Sequence, residues 1–296
     1  MQLQNSDDYS QMTEQVIMLA LAVFPALVLA IFIYRKDKFQ KEPLGLLAKA
    51  FFFGCLSAVP AVFLERFFSS LYIGFGSLLP DFFGGIYNGY VVAGNSEELC
   101  KLILLSLAVW RSRHFDEFFD GIVYAAFVSL GFASLENVLY VFAQDTFASA
   151  LMTGSVRAVL SVPGHFLFGV AMGYFFALAK FQPEHRKRNL LLAYLVPMLL
   201  HGTFDALLMI PEAMGEDGSW LSGILFPLFL FFDFRMWKIC MKKLRHLQEL
   251  SEQQAYKTGG NYSDDEYGNG TSGTNYGNYG NNGNGGDAFS GFNWDV

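Results

Sequence analysis

Seven stretches of this chain are apolar over about 20 residues or more, the length needed to cross roughly 30 Å of hydrocarbon. They lie at about 16–34, 44–64, 82–110, 119–142, 157–180, 189–210 and 219–240. A segment that meets lipid must satisfy its own backbone hydrogen bonds, so each is expected to be a helix. The predicted fold is therefore all-α: a polytopic transmembrane helical bundle of about seven spans. Residues 1–15 form a segment outside the membrane, 16–245 the transmembrane domain and 246–296 a cytoplasmic tail.

Lys and Arg set the orientation. Arg35, Lys36, Lys38 and Lys41 follow the first span, and Arg111 and Arg113 the third. Lys180, Arg186, Lys187 and Arg188 follow the fifth, and Lys238, Lys242, Lys243 and Arg245 the seventh. The opposite loops hold almost none, with Arg66 after the second span as the exception. This predicts an outside N-terminus and a cytoplasmic C-terminus. The first span is preceded by Asp7, Asp8 and Glu14 rather than basic residues, which predicts a retained anchor, not a cleaved leader.

Charged residues make up only 16 % of the 296, against about 25 % in a soluble domain. A soluble enzyme and a nucleic-acid binder are both excluded on that ground. Cys55, Cys100 and Cys240 all fall in apolar stretches and give no disulfide framework. From about residue 258 the chain is rich in Gly, Asn and Tyr, with no Lys or Arg after Lys257, so this part of the tail is predicted to be disordered. The third span carries Gly84, Gly85, Gly89 and Gly94 ahead of Asn95 and Glu98, a spacing that resembles a helix cap. It predicts a broken helix that restarts at Asn95.

Charges inside the spans carry the functional signal. A charged side chain at mid-span costs about 2.5–3.5 kcal/mol on insertion scales. Glu97, Glu98, Lys101, Glu136, His165, His201 and Asp205 nevertheless lie within predicted spans. At 1.5 Å per residue most fall about 8–14 Å below the outer surface. Glu97 falls deeper unless its helix is broken. One polar cavity leaning toward the outer face explains the common depth.

Glu97 and Lys101 are four residues apart and share a helix face, as do His201 and Asp205; Glu98 is three residues from Lys101. Asn137 stands beside Glu136, and Arg157 at the outer mouth of its span. Pro163-Gly164 precedes His165 and predicts a kink that aims the imidazole. Four carboxylates against Lys101 and Arg157 leave a buried negative excess, which water-free surroundings do not tolerate. Either some carboxylates are protonated or a divalent cation resides there. Zinc held by two histidines and one carboxylate, with a water position open, is a known catalytic arrangement.

The segments Glu97-Glu98-Leu-Cys-Lys101, Phe132-Ala-Ser-Leu-Glu136 and His201-Gly-Thr-Phe-Asp205 resemble the EExxK, FxxxE and HxxxD motifs of the PrsW family of intramembrane proteases. Asp120-Gly121-Ile-Val-Tyr124 and Pro163-Gly164-His165 extend the likeness, which covers about 40–210. The family is distantly similar to CAAX prenyl proteases and bacteriocin-immunity membrane proteins. Glu136 stands where those relatives typically carry a histidine.

The resemblance implies an intramembrane peptidase of a bacterial plasma membrane. It would cleave a membrane-tethered protein, such as an anti-sigma factor, near the outer face. Its partners would be that substrate and the lipid bilayer; nucleic acid is not among them. In that reading Glu97 or Glu98 is the general base on water. His165 and His201 bind a metal, Zn2+ being the candidate, or polarise the scissile carbonyl. Glu136 completes the ligand set, Asp205 orients His201, and Lys101 balances charge, with Asn137 and Arg157 in support. A metal-free route, with glutamate activating water and histidine stabilising the oxyanion, stays open. Two readings compete: a proton- or ion-coupled transporter using the same groups as a relay, and a non-catalytic scaffold or immunity protein.

Overall fold

In a computed structural model, which describes residues 2–37 and 40–257, the chain is helical throughout, with no strand among the described residues. Nine α-helices follow one another: α1 (Gln2–Lys36), α2 (Leu44–Phe75), α3 (Phe82–Tyr87), α4 (Asn95–Val109), α5 (Asp120–Phe142), α6 (Phe147–Val159), α7 (Ser161–Phe181), α8 (Arg186–Ala213) and α9 (Ser219–Lys257). Five helical stretches are long and apolar enough to cross a membrane: Gln11–Lys36, Leu44–Phe75, Asp120–Phe142, Phe147–Phe181 and Pro183–Ala213. Large apolar side chains stand exposed on the outside of the bundle, among them Phe24, Phe52, Phe63, Leu107 and Phe231. An apolar exterior of that extent suits lipid, not water, and fits a multi-pass membrane protein.

The middle of the bundle is the α5–α7 pair. Side chains on every face of α7 are buried, from Val162 to Ala179, which makes it the central helix. Close approach depends on residues without side chains. A Cβ on Gly173 would stand 2.4 Å from the Gly121 carbonyl oxygen of α5. On the other side of α5, a Cβ on Gly131 would stand 2.0 Å from the Phe51 carbonyl oxygen of α2. Helix–helix association in lipid relies on such small-residue contacts.

Two local expectations are corrected. The third apolar segment does not restart at Asn95. Residues Asn88–Gly94 form a π-helical turn that joins α3 to α4 without a break, and Asn95 caps nothing; its side-chain nitrogen donates to the Val91 carbonyl at 3.4 Å. The stretch 143–156, read as a loop, contains α6. Its N-terminus is held by a reciprocal cap between Thr146 and Ser149. Pro163 follows Leu160 by three residues, where α6 ends and α7 begins inside the apolar stretch Phe147–Phe181. It occupies the first turn of α7, where its missing N–H would have had no helical partner. Residues 246–257 continue α9 and are packed, with Leu247 and Ser251 fully buried. The Gly/Asn-rich part from 258 onward lies outside the described residues.

The end of the bundle bearing the basic loops is knit by an acidic corner. Asp37 and Glu42 meet between α1 and α2, where Asp37 Oδ2 accepts the Glu42 N–H at 3.3 Å. Tyr124 donates its hydroxyl to Glu42, and Asp120 Oδ2 accepts the Glu117 N–H at 2.7 Å. Burial pushes the Glu42 and Glu117 carboxyls up to about 7 and that of Asp37 to about 6. The last turns of α9 dock on this corner. Ser251 Oγ accepts the Phe119 N–H at 2.9 Å, and the Gln254 and Gln248 amides donate to the Asp116 and Lys36 carbonyls at 2.6 and 2.5 Å.

Candidate functional site

The site forms where α4, α5, α7 and α8 converge, and glycines set the convergence. The π turn lies backbone to backbone on α8: a Cβ on Gly89 would be 2.7 Å from the Ala206 nitrogen, and one on Gly94 2.9 Å from the Met198 carbonyl oxygen. Gly202 in turn faces the Tyr90 ring, which leaves no room for a Cβ. Tyr90 and Thr203 share a hydroxyl–hydroxyl bond of 2.7 Å, and Tyr194 donates to Asn95. Single-turn π segments recur at functional sites; here the turn seats Glu97 and Glu98 against His201.

The charged residues predicted inside the spans are brought into one continuous network. Lys101 Nζ lies 2.8 Å from Glu98 Oε1 and 3.1 Å from Glu97 Oε2, and meets His165 Nδ1 at 3.1 Å. The ammonium also sits 4.0 Å above the Phe132 ring. His165 Nε2 faces Glu136 Oε2 at 2.8 Å. Arg157 places a terminal nitrogen 2.6 Å from the same oxygen and donates its Nε–H to Asn137 Oδ1 at 2.6 Å. Asn137 is anchored by donation to the Ala22 carbonyl of α1 at 3.2 Å. On the other side, His201 Nδ1 stands 2.9 Å from Glu98 Oε1, and His201 Nε2 3.2 Å from Asp205 Oδ2. The ring is stacked on Phe168 at a centroid distance of 4.6 Å. Lys101 and Glu98 are fully buried, while Glu97, His165 and His201 are 3–5 % exposed.

These contacts fix protons. Lys101 can only donate, so His165 Nδ1 accepts from it and the proton of the neutral ring sits on Nε2, toward Glu136. His201 has a carboxylate oxygen at each ring nitrogen, which is satisfied when both nitrogens carry protons.

The geometry separates residues that sequence spacing alone leaves equivalent. Adjacent residues on a helix point about 100° apart, and Glu97 faces a cavity of about 550 Å³ whereas Glu98 points into the protein. Glu136, His165, His201, Asp205 and Arg157 also line that cavity. Glu65 of α2 lines it too, and sequence reading passed over it. A charge near the end of an apolar stretch is ordinary, and only the helix face shared with Ala58 and Val62 places it on the cavity wall.

Four residues suit a metal ion. Glu97, Glu98, His165 and His201 each offer a donor atom, all within 4.8 Å of one another. His201 turns Nδ1 to Glu98 and His165 turns Nδ1 to Lys101, while each turns Nε2 to an outer carboxylate, Asp205 or Glu136, the arrangement that orients histidine ligands. Oxygen Oε2 of Glu98 is buried without a hydrogen-bond partner. The donor set fits a divalent cation such as zinc. Glu136, expected among the ligands, is placed instead on the far edge of His165, held by Arg157. Cys100, four residues from Ser96 on α4, packs with Ala58, Ala61 and Phe132 as a small apolar residue.

Comparison with known proteins follows the same lines. The profile of the PrsW family of intramembrane metalloproteases matches residues 42–232. Protease PrsW of Clostridioides difficile (strain 630) is 35 % identical over 237 residues, covering 79 % of this chain and 92 % of its own. Protease PrsW of Oceanobacillus iheyensis is 33 % identical over 231 residues, 78 % of this chain and 96 % of its own. Protease PrsW of Bacillus subtilis (strain 168) is 35 % identical over 191 residues, 64 % and 82 % respectively. No solved structure gives a significant match.

Proposed function

The chain belongs to the PrsW family of intramembrane metalloproteases, and from that premise we propose that it hydrolyses a peptide bond of a membrane-tethered protein near the outer face of a bacterial plasma membrane. The observation that carries the reading is the pair of carboxylate-backed histidines gathered with two glutamates and Lys101 at a cavity wall. A structural ion pair needs no cavity, and a packing histidine needs no carboxylate behind it. The basic-loop pattern supports seven crossings, with α4 and α9 completing the five apolar spans, and an outside N-terminus.

Glu97 is the general base. It is the glutamate of the pair that faces the cavity, and Lys101 at 3.1 Å holds it in place. Glu98 is the inner member, fixed by Lys101 and His201. Asp205 and Glu136 hold protons at the Nε2 atoms of His201 and His165 and so direct both Nδ1 atoms inward. Arg157, steadied by Asn137, pairs with Glu136 and keeps it in register. Glu98, His165 and His201 would hold the metal, with Glu97 left free beside it as the base. When bound, Zn2+ would supply Lewis-acid polarisation of the scissile carbonyl and a more acidic water. The substrate is a single-span protein of the anti-sigma-factor type, its cleavage point near the outer surface.

The test is cleavage of a membrane-anchored substrate by the purified chain in proteoliposomes. Glu97→Gln and His201→Ala should each abolish cleavage, and the double variant should be no worse, because residues acting as a unit lose activity non-additively. Full proteolysis by Glu97→Gln would refute the assignment of the base. Ion-coupled uptake without cleavage would favour a transporter.

A further inference from the structure

The cavity is more acidic than its chemistry requires. Its walls carry the carboxylates of Glu65, Glu97, Glu136, Asp205 and Glu212 against one guanidinium, that of Arg157. Three of the five are matched within the site: Glu97 by Lys101, Glu136 by Arg157 and Asp205 by His201. Glu65 is half-buried and makes no hydrogen bond or ion pair among the described residues. Arg66, next in the chain, is exposed and is not part of the lining.

Position gives the unmatched charge a meaning. Ala58, Val62 and Glu65 climb one face of α2, while His201, Asp205, Met209 and Glu212 climb one face of α8. The two helices are read as running in the same direction across the membrane, so Glu65 and Glu212 crown the same end of the cavity. Below them the wall is apolar, through Val62 and Met209, down to the His201–Asp205 pair. From Asp205 to Glu212 the rise along α8 is about 10 Å at 1.5 Å per residue. An extended peptide covers about 3.3 Å per residue, so this rise corresponds to about three residues. A half-buried carboxylate without a partner is unfavourable in the free enzyme, and a cationic side chain on the occupant removes that penalty.

We propose that Glu65, on the wall of a cavity that Glu212 also lines, selects substrates that carry Lys or Arg about three residues from the scissile bond on the outer side. This rests on the protease reading above and names its specificity. Glu65 acts on substrate choice, not on the reacting atoms.

The experiment uses the full chain in proteoliposomes and a set of single-span peptides. They share one transmembrane helix and differ by Lys, Ala or Glu at successive positions of the outer flanking segment, with cut sites read by mass spectrometry. Wild type should prefer Lys about three residues from the cut over Ala by about tenfold in kcat/KM, between a screened surface pair and a buried one. Glu65→Gln should bring that Lys-to-Ala ratio near unity. Glu65→Lys should turn the preference toward Glu, a reversal that misfolding does not produce. Cleavage by wild type without charge preference, or a Lys preference kept in Glu65→Gln, overturns the inference and leaves the protease reading standing. Failure of wild type to cut any of the peptides counts against the protease reading and takes this inference with it.

Discussion

Replacing Lys101 with Met tests whether one ammonium holds the charged network together. Met fills nearly the same volume and keeps contact with the Phe132 ring, so the change removes charge and little packing. The ammonium has two carboxylate partners, at 2.8 and 3.1 Å, and no exposure to solvent. Taking one partner from a buried ion pair destabilises by about 3–5 kcal/mol, because the remaining charge is stranded. At roughly 2–4 °C per kcal/mol for a chain of this size, the midpoint of thermal unfolding in detergent should fall by about 6–20 °C. Glu98→Gln in the same chain removes one stranded charge and should recover part of the loss. The pair Lys101→Met and Lys101→Met/Glu98→Gln, compared by thermal unfolding at fixed detergent and salt, gives the answer. A fall below about 2 °C in the single variant, or a double variant less stable than the single, would show that Lys101 does not neutralise the glutamates.

Three further outcomes follow from other parts of the fold. Glu42 and Glu117 have folded-state pKa values of about 7, above the ordinary carboxylate value, so their contribution is full below about pH 4.5 and is lost as pH rises through 7; the protection of amides across 115–124, taken relative to the intrinsic exchange rate at each pH, should therefore fall between about pH 5 and pH 8, and Glu42→Gln should flatten that fall. Gly131→Ala places a methyl carbon 2.0 Å from the Phe51 carbonyl oxygen, so α2 and α5 must part, and unfolding should shift by at least the ~1–3 kcal/mol of an overpacked core; an unchanged midpoint would show that the helices do not meet there. Truncation after Lys257 should leave insertion and proteolysis intact, whereas truncation after Leu247 removes the Gln248, Ser251 and Gln254 contacts and should lower the unfolding midpoint.

The sequence exposes some of this fold because the relevant spacings are local. Glu97 with Lys101, and His201 with Asp205, are each one helical turn apart, and the structure closes both pairs at 3.1 and 3.2 Å. What was hidden depends on a second element. The π turn at Asn88–Gly94 has no pattern of its own; it exists because Gly89 and Gly94 must slide against α8 at Ala206 and Met198. The α6 cap is reciprocal between Thr146 and Ser149, without the acidic partner at the third position that usually marks such a start. The roles of Glu97 and Glu98 divide only once α8 supplies a direction: His201 claims the inner carboxylate, and the outer one is left on the cavity wall. The same logic governs Glu65. In sequence it is one charge near the end of an apolar stretch, and only the cavity it lines together with Asp205 and Glu212 of α8 makes it part of an acidic wall. Where a residue's partner lies on its own helix the chemistry is written in the spacing; where the partner comes from another helix, the packing of glycines decides which of two neighbouring acids does the work.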